Sequence, residues 1–294
     1  MTNQQGTSAQ NQSAFLRLTD KIPVLIRAPI VGFVVMSLGV FAWQILGRTN
    51  IVTTPAVPWS TPATMVVLWF YFQYLNGRGW PAVTSTTRRN NLRANTVNPS
   101  LMPLVVTASL LGLAFTLSLH FLSLRIVELP PEALTFRPQG LDLPWWTLWI
   151  SVIMASVVAG VCEEAGIRGY LQTPIERKYG AIVAVLISAA VFTAMHFNRE
   201  LGVALALPIF VSALWYGALT SVANSIVPMI FIHIALDVFL ISYHDLLKGP
   251  VPLHMSQTGI DTAFIVNAAG SIVLAFLLIF MIRRIANKAA TLQL

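Results

Sequence analysis

The chain has 294 residues, of which 56% are hydrophobic and only 10% are charged, whereas a soluble domain carries about 25% charged residues. A water-soluble fold of this size cannot bury so much apolar surface and still present a charged exterior, so the composition excludes an ordinary soluble protein and indicates a membrane protein. The net charge of +7 does not indicate nucleic-acid binding, because the basic residues lie in short tracts beside apolar runs, as residues that orient membrane helices do.

The amino-terminal 16 residues are rich in Gln, Asn, Ser and Thr, and we expect them to form a disordered cytoplasmic tail, residues 1–16. Residues 17–294 show no sign of a second domain and predict a single transmembrane domain. Within it, apolar runs of about 17–25 residues are long enough to span a bilayer as helices. The runs lie at residues 24–46, 59–76, 101–124, 147–174, 181–198, 201–221, 226–243 and 263–282. They predict an all-α fold, a polytopic membrane helical bundle of about eight transmembrane helices.

Basic residues beside the apolar runs predict the orientation of the bundle. Cytoplasmic loops carry an excess of Lys and Arg. If the amino terminus is in the cytoplasm, most of the basic residues lie at the cytoplasmic ends of the apolar runs. The basic residues at these ends are Arg17, Lys21, Arg27, Arg78, Arg88, Arg89, Arg93, Arg177, Lys178, Arg283, Arg284 and Lys288. The sequence therefore predicts a multi-pass protein of the cell membrane with both termini in the cytoplasm.

The fourth run contains charged residues, which are costly inside a membrane by about 2.5 kcal/mol or more each and are candidates for function. Glu164 and Arg168 are four residues apart, so they share a helix face and can pair. We expect this pair to give structural support, because each charge satisfies the other. Glu163 is turned about 100° away from Glu164, which leaves its carboxylate facing a different neighbour.

Three polar side chains on later runs lie at a depth similar to that of Glu163. With a rise of 1.5 Å per residue from the cytoplasmic ends, Glu163 lies about 17 Å deep, His196 about 22 Å and His233 about 16 Å. Asp237 follows His233 by four residues and can hydrogen-bond to it along one face. A lone membrane histidine also serves in helix packing, but polar groups from three helices at one depth favour a shared water-filled cavity.

Three short motifs in this part of the chain resemble those of a known family. Residues 163–168 read EEAGIR and fit the pattern EExxxR, residues 192–196 read FTAMH and fit FxxxH, and residues 233–237 read HIALD and fit HxxxN or HxxxD. In this order they are similar to the motifs of the CAAX prenyl endopeptidase and bacteriocin-processing family of intramembrane glutamic proteases, also called the abortive-infection family. The resemblance covers about residues 145–245, which we expect to form the catalytic core.

The resemblance implies an intramembrane peptidase that uses a glutamate-activated water. Its substrate would be a protein or peptide cleaved near its end or in its membrane-proximal part. Glu163 would be the general base, assisted by His196, while His233 and Asp237 would stabilise the oxyanion. Members of the family commonly have Asn in place of Asp237, and an ionised Asp accepts but does not donate a hydrogen bond. Asp237 would therefore either carry a proton or orient His233.

Other functions stay open at this point. Two histidines and a carboxylate could hold zinc at Glu163, His196 and His233, although the HExxH motif of many zinc peptidases does not occur. A non-enzymatic membrane scaffold or bacteriocin-immunity protein is a second alternative. A transporter would favour broken helices and an internal repeat, which the sequence does not indicate. The expected partners are the lipid bilayer and a protein or peptide substrate. The sequence leaves open whether this substrate is lipidated or inserted in the membrane. No cofactor and no nucleic acid are expected.

Overall fold

A computed structural model describes residues 21–127, 143–197, 202–249 and 251–292, and the predicted disordered tail lies outside these ranges. We number its helices along the chain. They are α1 (Val24–Thr53), α2 (Ser60–Leu75), α3 (Ser85–Leu92), α4 (Met102–Ile126), α5 (Trp145–Tyr179), α6 (Ala181–His196), α7 (Gly202–Ala223), α8 (Val227–Leu246), α9 (Met255–Thr258) and α10 (Thr262–Leu292). The described residues contain no strand, which confirms the predicted all-α helical bundle.

Six of the described helices are long and apolar enough to cross a membrane, namely α1, α4, α5, α7, α8 and α10. Helices α2 and α6 lie at two further predicted spans but have only 16 residues each. The outward surfaces of α1 and α10 are rich in exposed large apolar side chains, as expected for helices that face lipid. Examples are Ile30, Phe33, Leu38, Phe41, Ile45, Ile272, Phe276 and Phe280. The chain is thus a multi-pass membrane protein, while the count of eight spans stays a prediction.

Helix α5 changes its winding in the middle of the bundle. It is α-helical to Glu163, π-helical over Glu164–Gln172 and α-helical again over Thr173–Tyr179. All nine residues of the π-helical segment are buried, and α1 packs along them. A β-carbon on Gly166 would lie 2.6 Å from the carbonyl oxygen of Gly32, so the two backbones approach at a distance that glycine allows. Wide helical turns of this kind are rare and occur often at functional sites.

Helices α6, α7 and α8 pack against different parts of α5. Helix α8 packs against the amino-terminal, α-helical part of α5, Trp145–Glu163. Helices α6 and α7 pack against each other and against the π-helical segment. Buried apolar side chains of α5 and α6 form one cluster, with members Ile167, Leu171, Ile175, Ala184, Ala189 and Phe192. This packing brings the faces of α5, α6, α7 and α8 that carry polar residues toward one cavity.

Candidate active site

A cavity of about 240 Å³ lies among α4, α5, α6, α7 and α8. The four residues that the sequence predicts to be catalytic, Glu163, His196, His233 and Asp237, all line it. Much of the remaining wall is apolar, with Leu205, Pro208, Ile209, Leu236, Leu240 and Ile241. A mostly apolar cavity on which a few polar groups converge is typical of a binding or catalytic site.

Glu163 is the last α-helical residue before the π-helical segment of α5. Its Oε2 is buried and has no hydrogen-bond partner among the described residues. This oxygen lies 3.7 Å from Nε2 of His196 and 3.7 Å from Nε2 of His233, beyond the range of a direct hydrogen bond. A carboxylate oxygen with uncommitted lone pairs therefore faces two imidazole rings.

His196 is the last residue of α6, and its ring is held by the preceding turn. Its Nδ1 lies 2.9 Å from the carbonyl oxygen of Phe192, and its ring centroid lies 4.3 Å from that of the Phe192 ring. A carbonyl oxygen only accepts, so Nδ1 carries the hydrogen in this contact. In the neutral ring, Nε2 is consequently a lone-pair acceptor on the side facing Glu163.

His233 is held by a carboxylate from another helix. Its Nδ1 donates to Oε1 of Glu164 at 2.9 Å, and Nη1 of Arg168 donates to the same oxygen at 3.0 Å. The contact that the spacing predicts between Glu164 and Arg168 is therefore present. The contact between Glu164 and His233 is not predicted by any spacing, because 69 residues separate the two. Together these contacts fix the ring of His233 with Nε2 toward Glu163.

Asp237 lies one helical turn beyond His233 on α8. Its Oδ2 is 3.6 Å from Nε2 of His233, a distance suited to an ion pair but too long for a hydrogen bond. The hydrogen bond along this face that the spacing allows is thus not formed in the structure. The carboxylate of Asp237 nevertheless faces the same ring nitrogen as Glu163 does.

Three further residues of the cavity belong to none of the motifs. Nε2 of His120 lies 3.2 Å from Nε2 of His244, and both rings line the cavity. Tyr216 also lines it, and its hydroxyl oxygen is buried without a hydrogen-bond partner among the described residues. The sequence offers one signal for His244, which follows Asp237 by seven residues and so lies two turns on along one helix face. His120 and Tyr216 give no such signal.

The described residues include no group of three or more His, Cys, Asp or Glu side chains arranged to hold a metal ion. The three residues of the alternative zinc site face one another through Oε2 of Glu163 and the Nε2 atoms of His196 and His233, which are atom types that zinc accepts as ligands. The donor chemistry is therefore compatible with zinc.

One family comparison bears on this site. Residues 144–239 match the family model described as Type II CAAX prenyl endopeptidase Rce1-like. The match confirms the resemblance carried by the three motifs, all of which lie within it. It supports a peptidase of the CAAX type that acts on a protein or peptide in a lipid environment. No curated protein and no solved structure compared with the chain matches it.

Proposed function

We propose that the chain is an intramembrane peptidase in which Glu163 activates a water molecule for attack on a peptide carbonyl. The observation that carries the proposal is the buried Oε2 of Glu163, which has no hydrogen-bond partner among the described residues and faces Nε2 of His196 and of His233 at 3.7 Å each. The water oxygen attacks the carbonyl carbon while its proton passes to Glu163. The carbon–nitrogen bond then breaks, and that proton goes to the leaving amine.

His196 positions the attacking water in this mechanism. The carbonyl oxygen of Phe192 takes the hydrogen of Nδ1, so Nε2 of the neutral ring can accept a hydrogen bond from the water. The same water donates its other hydrogen to Glu163, which removes it during attack. A base and an acceptor held on one water orient its lone pair toward the substrate.

In this mechanism His233 and Asp237 act on the carbonyl oxygen of the substrate. Glu164 holds Nδ1 of His233, so an imidazolium at this position would present Nε2–H to the cavity. Such a donor stabilises the negative oxygen of the tetrahedral intermediate. The carboxylate of Asp237, 3.6 Å from the same Nε2, stabilises the charged ring. The orienting role of Asp237 is therefore favoured over a role as hydrogen-bond donor.

The lining of the cavity indicates the character of the substrate. Leucine, isoleucine and proline side chains flank the polar groups, and they favour apolar residues on either side of the cleaved bond. We infer that the substrate is a protein or peptide whose cleaved segment lies within the membrane or at its surface. Lipidated and unlipidated substrates both fit this description.

Replacement of Glu163 by Gln tests the mechanism. Comparison of peptide termini in membranes from cells with wild-type protein or Glu163→Gln would identify substrates, and turnover is then measured with purified protein in liposomes. We expect turnover to fall by about 10²- to 10⁴-fold, because the general base is removed, with an unchanged melting temperature. Cys162→Ala at the neighbouring buried position is the control and should keep most activity. Near-normal turnover of Glu163→Gln would show the mechanism to be wrong.

Chelation separates the glutamate mechanism from the zinc alternative. We expect turnover of the purified protein to persist after prolonged treatment with a strong zinc chelator. Loss of turnover that added zinc restores would favour a zinc site at Glu163, His196 and His233. If cells with Glu163→Gln have the same phenotype as cells with wild-type protein, the scaffold or immunity function would be favoured instead.

A further inference from the structure

The polar groups around Glu163 are rich in hydrogen-bond acceptors and poor in donors. Glu163 and Asp237 offer carboxylate oxygens, which only accept when ionised. His196 and His233 each commit the hydrogen of Nδ1 to a neighbouring oxygen, so their neutral rings offer acceptors at Nε2. Hydrolysis of a peptide requires a donor for the carbonyl oxygen that becomes negative. A donor outside the three motifs would meet this requirement in any protonation state of the histidines.

The described residues that line the cavity include three with hydroxyl groups, and two of these hydroxyls have partners. Oγ1 of Thr116 accepts from Nε1 of Trp215 at 3.1 Å. Oγ of Ser212 donates to the carbonyl oxygen of Ile209 at 2.9 Å. The hydroxyl of Tyr216 is buried and has no hydrogen-bond partner among the described residues. A buried hydroxyl without a partner is unfavourable for the free energy of folding, and Tyr216 lines the cavity, so this hydroxyl is a candidate to bind a ligand there.

The ring of Tyr216 is held in place by neighbours that belong to the site. Its centroid lies 5.8 Å from the ring of His233, at an interplanar angle of 70°, and 5.2 Å from Cζ of Arg168. The residue is only 3% exposed. A side chain fixed in this way needs little reorganisation when charge develops nearby, which is the property that makes a donor effective in catalysis.

We propose that the hydroxyl of Tyr216 donates a hydrogen bond to the scissile carbonyl oxygen as it becomes the oxyanion, which makes Tyr216 a further catalytic residue. The inference rests on the proposed peptidase function. The phenol keeps its proton throughout: the carbonyl double bond opens to a C–O⁻ oxygen that accepts the hydrogen bond, and it reforms when the carbon–nitrogen bond breaks.

Arg168 is a further candidate donor, because its Nε and Nη2 have no hydrogen-bond partner among the described residues. Its guanidinium lies against two aromatic faces, with Cζ 4.6 Å from the ring centroid of Phe192 and 5.2 Å from that of Tyr216. It is also paired with the carboxylate of Glu164. Tyr216→Phe keeps the aromatic face beside Arg168 and removes only the hydroxyl, so this variant separates the two donors.

The test is the turnover of Tyr216→Phe in liposomes. We expect kcat to fall by about 10²- to 10³-fold with KM nearly unchanged, because the hydrogen bond forms only as the transition state is approached. The melting temperature should stay the same or rise, since an unpartnered buried hydroxyl is removed. Tyr170→Phe is the matched control. Its hydroxyl is buried but donates to the carbonyl oxygen of Leu75 at 3.3 Å, so its loss should lower the melting temperature and leave kcat unchanged.

Each outcome separates this inference from the proposed function. Full kcat in Tyr216→Phe, or a raised KM alone, overturns the role of the hydroxyl, while the proposed function stands as long as Glu163→Gln is inactive. Full activity of Glu163→Gln overturns the proposed function itself. Should Tyr216→Phe fold poorly, 3-fluorotyrosine incorporated at position 216 keeps the ring and strengthens the donor. A changed kcat at equal stability then supports the role, and an unchanged kcat overturns it.

Discussion

At the scale of single residues, one oxygen of Glu164 connects two helices. Oε1 accepts from Arg168 at 3.0 Å and from His233 at 2.9 Å, and the side chains of the three residues are 0%, 1% and 8% exposed respectively. Removal of one partner from a buried ion pair leaves a buried charge without compensation, at about 3–5 kcal/mol. Replacement of both charges by apolar groups of similar volume costs far less or even stabilises the fold.

Arg168→Met should therefore lower the free energy of unfolding by about 3–5 kcal/mol, and the double variant Glu164→Leu with Arg168→Met should recover most of it. The double variant should still lack turnover, because nothing holds Nδ1 of His233. Thermal unfolding in detergent and turnover in liposomes measure the two effects. The exposed Arg89 supplies the control Arg89→Met, which should shift stability by no more than about 0.5 kcal/mol. If Arg168→Met were as stable as Arg89→Met, the structural role of the Glu164–Arg168 ion pair would be contradicted.

The contacts of this site that the sequence predicts are those local to one helix. A spacing of four residues places Glu164 beside Arg168 and His233 beside Asp237, although only the first pair is within hydrogen-bond distance. The contact between Glu164 and His233 depends on how α5 and α8 pack, which no spacing encodes. Tyr216 comes from α7, outside every motif, so its place in the cavity follows from the tertiary fold alone.

At the scale of helices, hydropathy predicts where α5 lies along the chain but does not predict its π-helical winding. The predicted span 147–174 lies within Trp145–Tyr179, because an apolar run reports burial in lipid or protein. The π-helical segment Glu164–Gln172 has the same hydropathy whether its turns are wide or narrow. Its packing against α1 at Gly32 and Gly166 is a tertiary contact, and sequence periodicity does not reveal it.

Gly166→Ala tests this close packing of α1 and α5. The added β-carbon would lie 2.6 Å from the carbonyl oxygen of Gly32 and 2.7 Å from Cβ of Met36, so the helices must separate. We expect a loss of about 1–3 kcal/mol in the free energy of unfolding, measured as a lower melting temperature. Gly270→Ala in α10 is the control, because its β-carbon would meet no atom within 4 Å and alanine favours helices. Equal melting temperatures of Gly166→Ala and Gly270→Ala would contradict the close packing of α1 against α5 at Gly166.

At the scale of the whole molecule, the number of spans depends on two short helices. Helices α2 and α6 have 16 residues each, which at 1.5 Å per residue gives about 24 Å, against a hydrocarbon thickness of about 30 Å. Composition alone predicts the membrane bundle, since only lipid can cover so much apolar surface. Whether both short helices cross completely depends on the neighbours that cover their ends, and hydropathy does not report this.

The predicted topology can be tested with single cysteines. Cys162 is buried, so replacing it with Ser gives a background with no native thiol. Thr87→Cys before α4 and Thr291→Cys at the end of α10 should react with an impermeant reagent only after permeabilisation of the cells. Thr54→Cys between α1 and α2 should react in intact cells. All three positions are exposed. Labelling of Thr291→Cys from outside, with Thr87→Cys protected, would show an odd number of spans between them and contradict the prediction.

The pairing of Glu164 with Arg168 also matters while the chain is being synthesised. His233 follows Glu163 by 70 residues (233 − 163), which at about 5–20 residues per second takes about 4–14 s. During that interval α5 carries the adjacent carboxylates of Glu163 and Glu164 toward the membrane before α8 exists. Arg168 lies in the same helix, four residues from Glu164, so this ion pair forms as soon as the helix does. Of the adjacent charges of Glu163 and Glu164, the nascent α5 thus inserts with that of Glu164 already neutralised, and the remaining one belongs to Glu163.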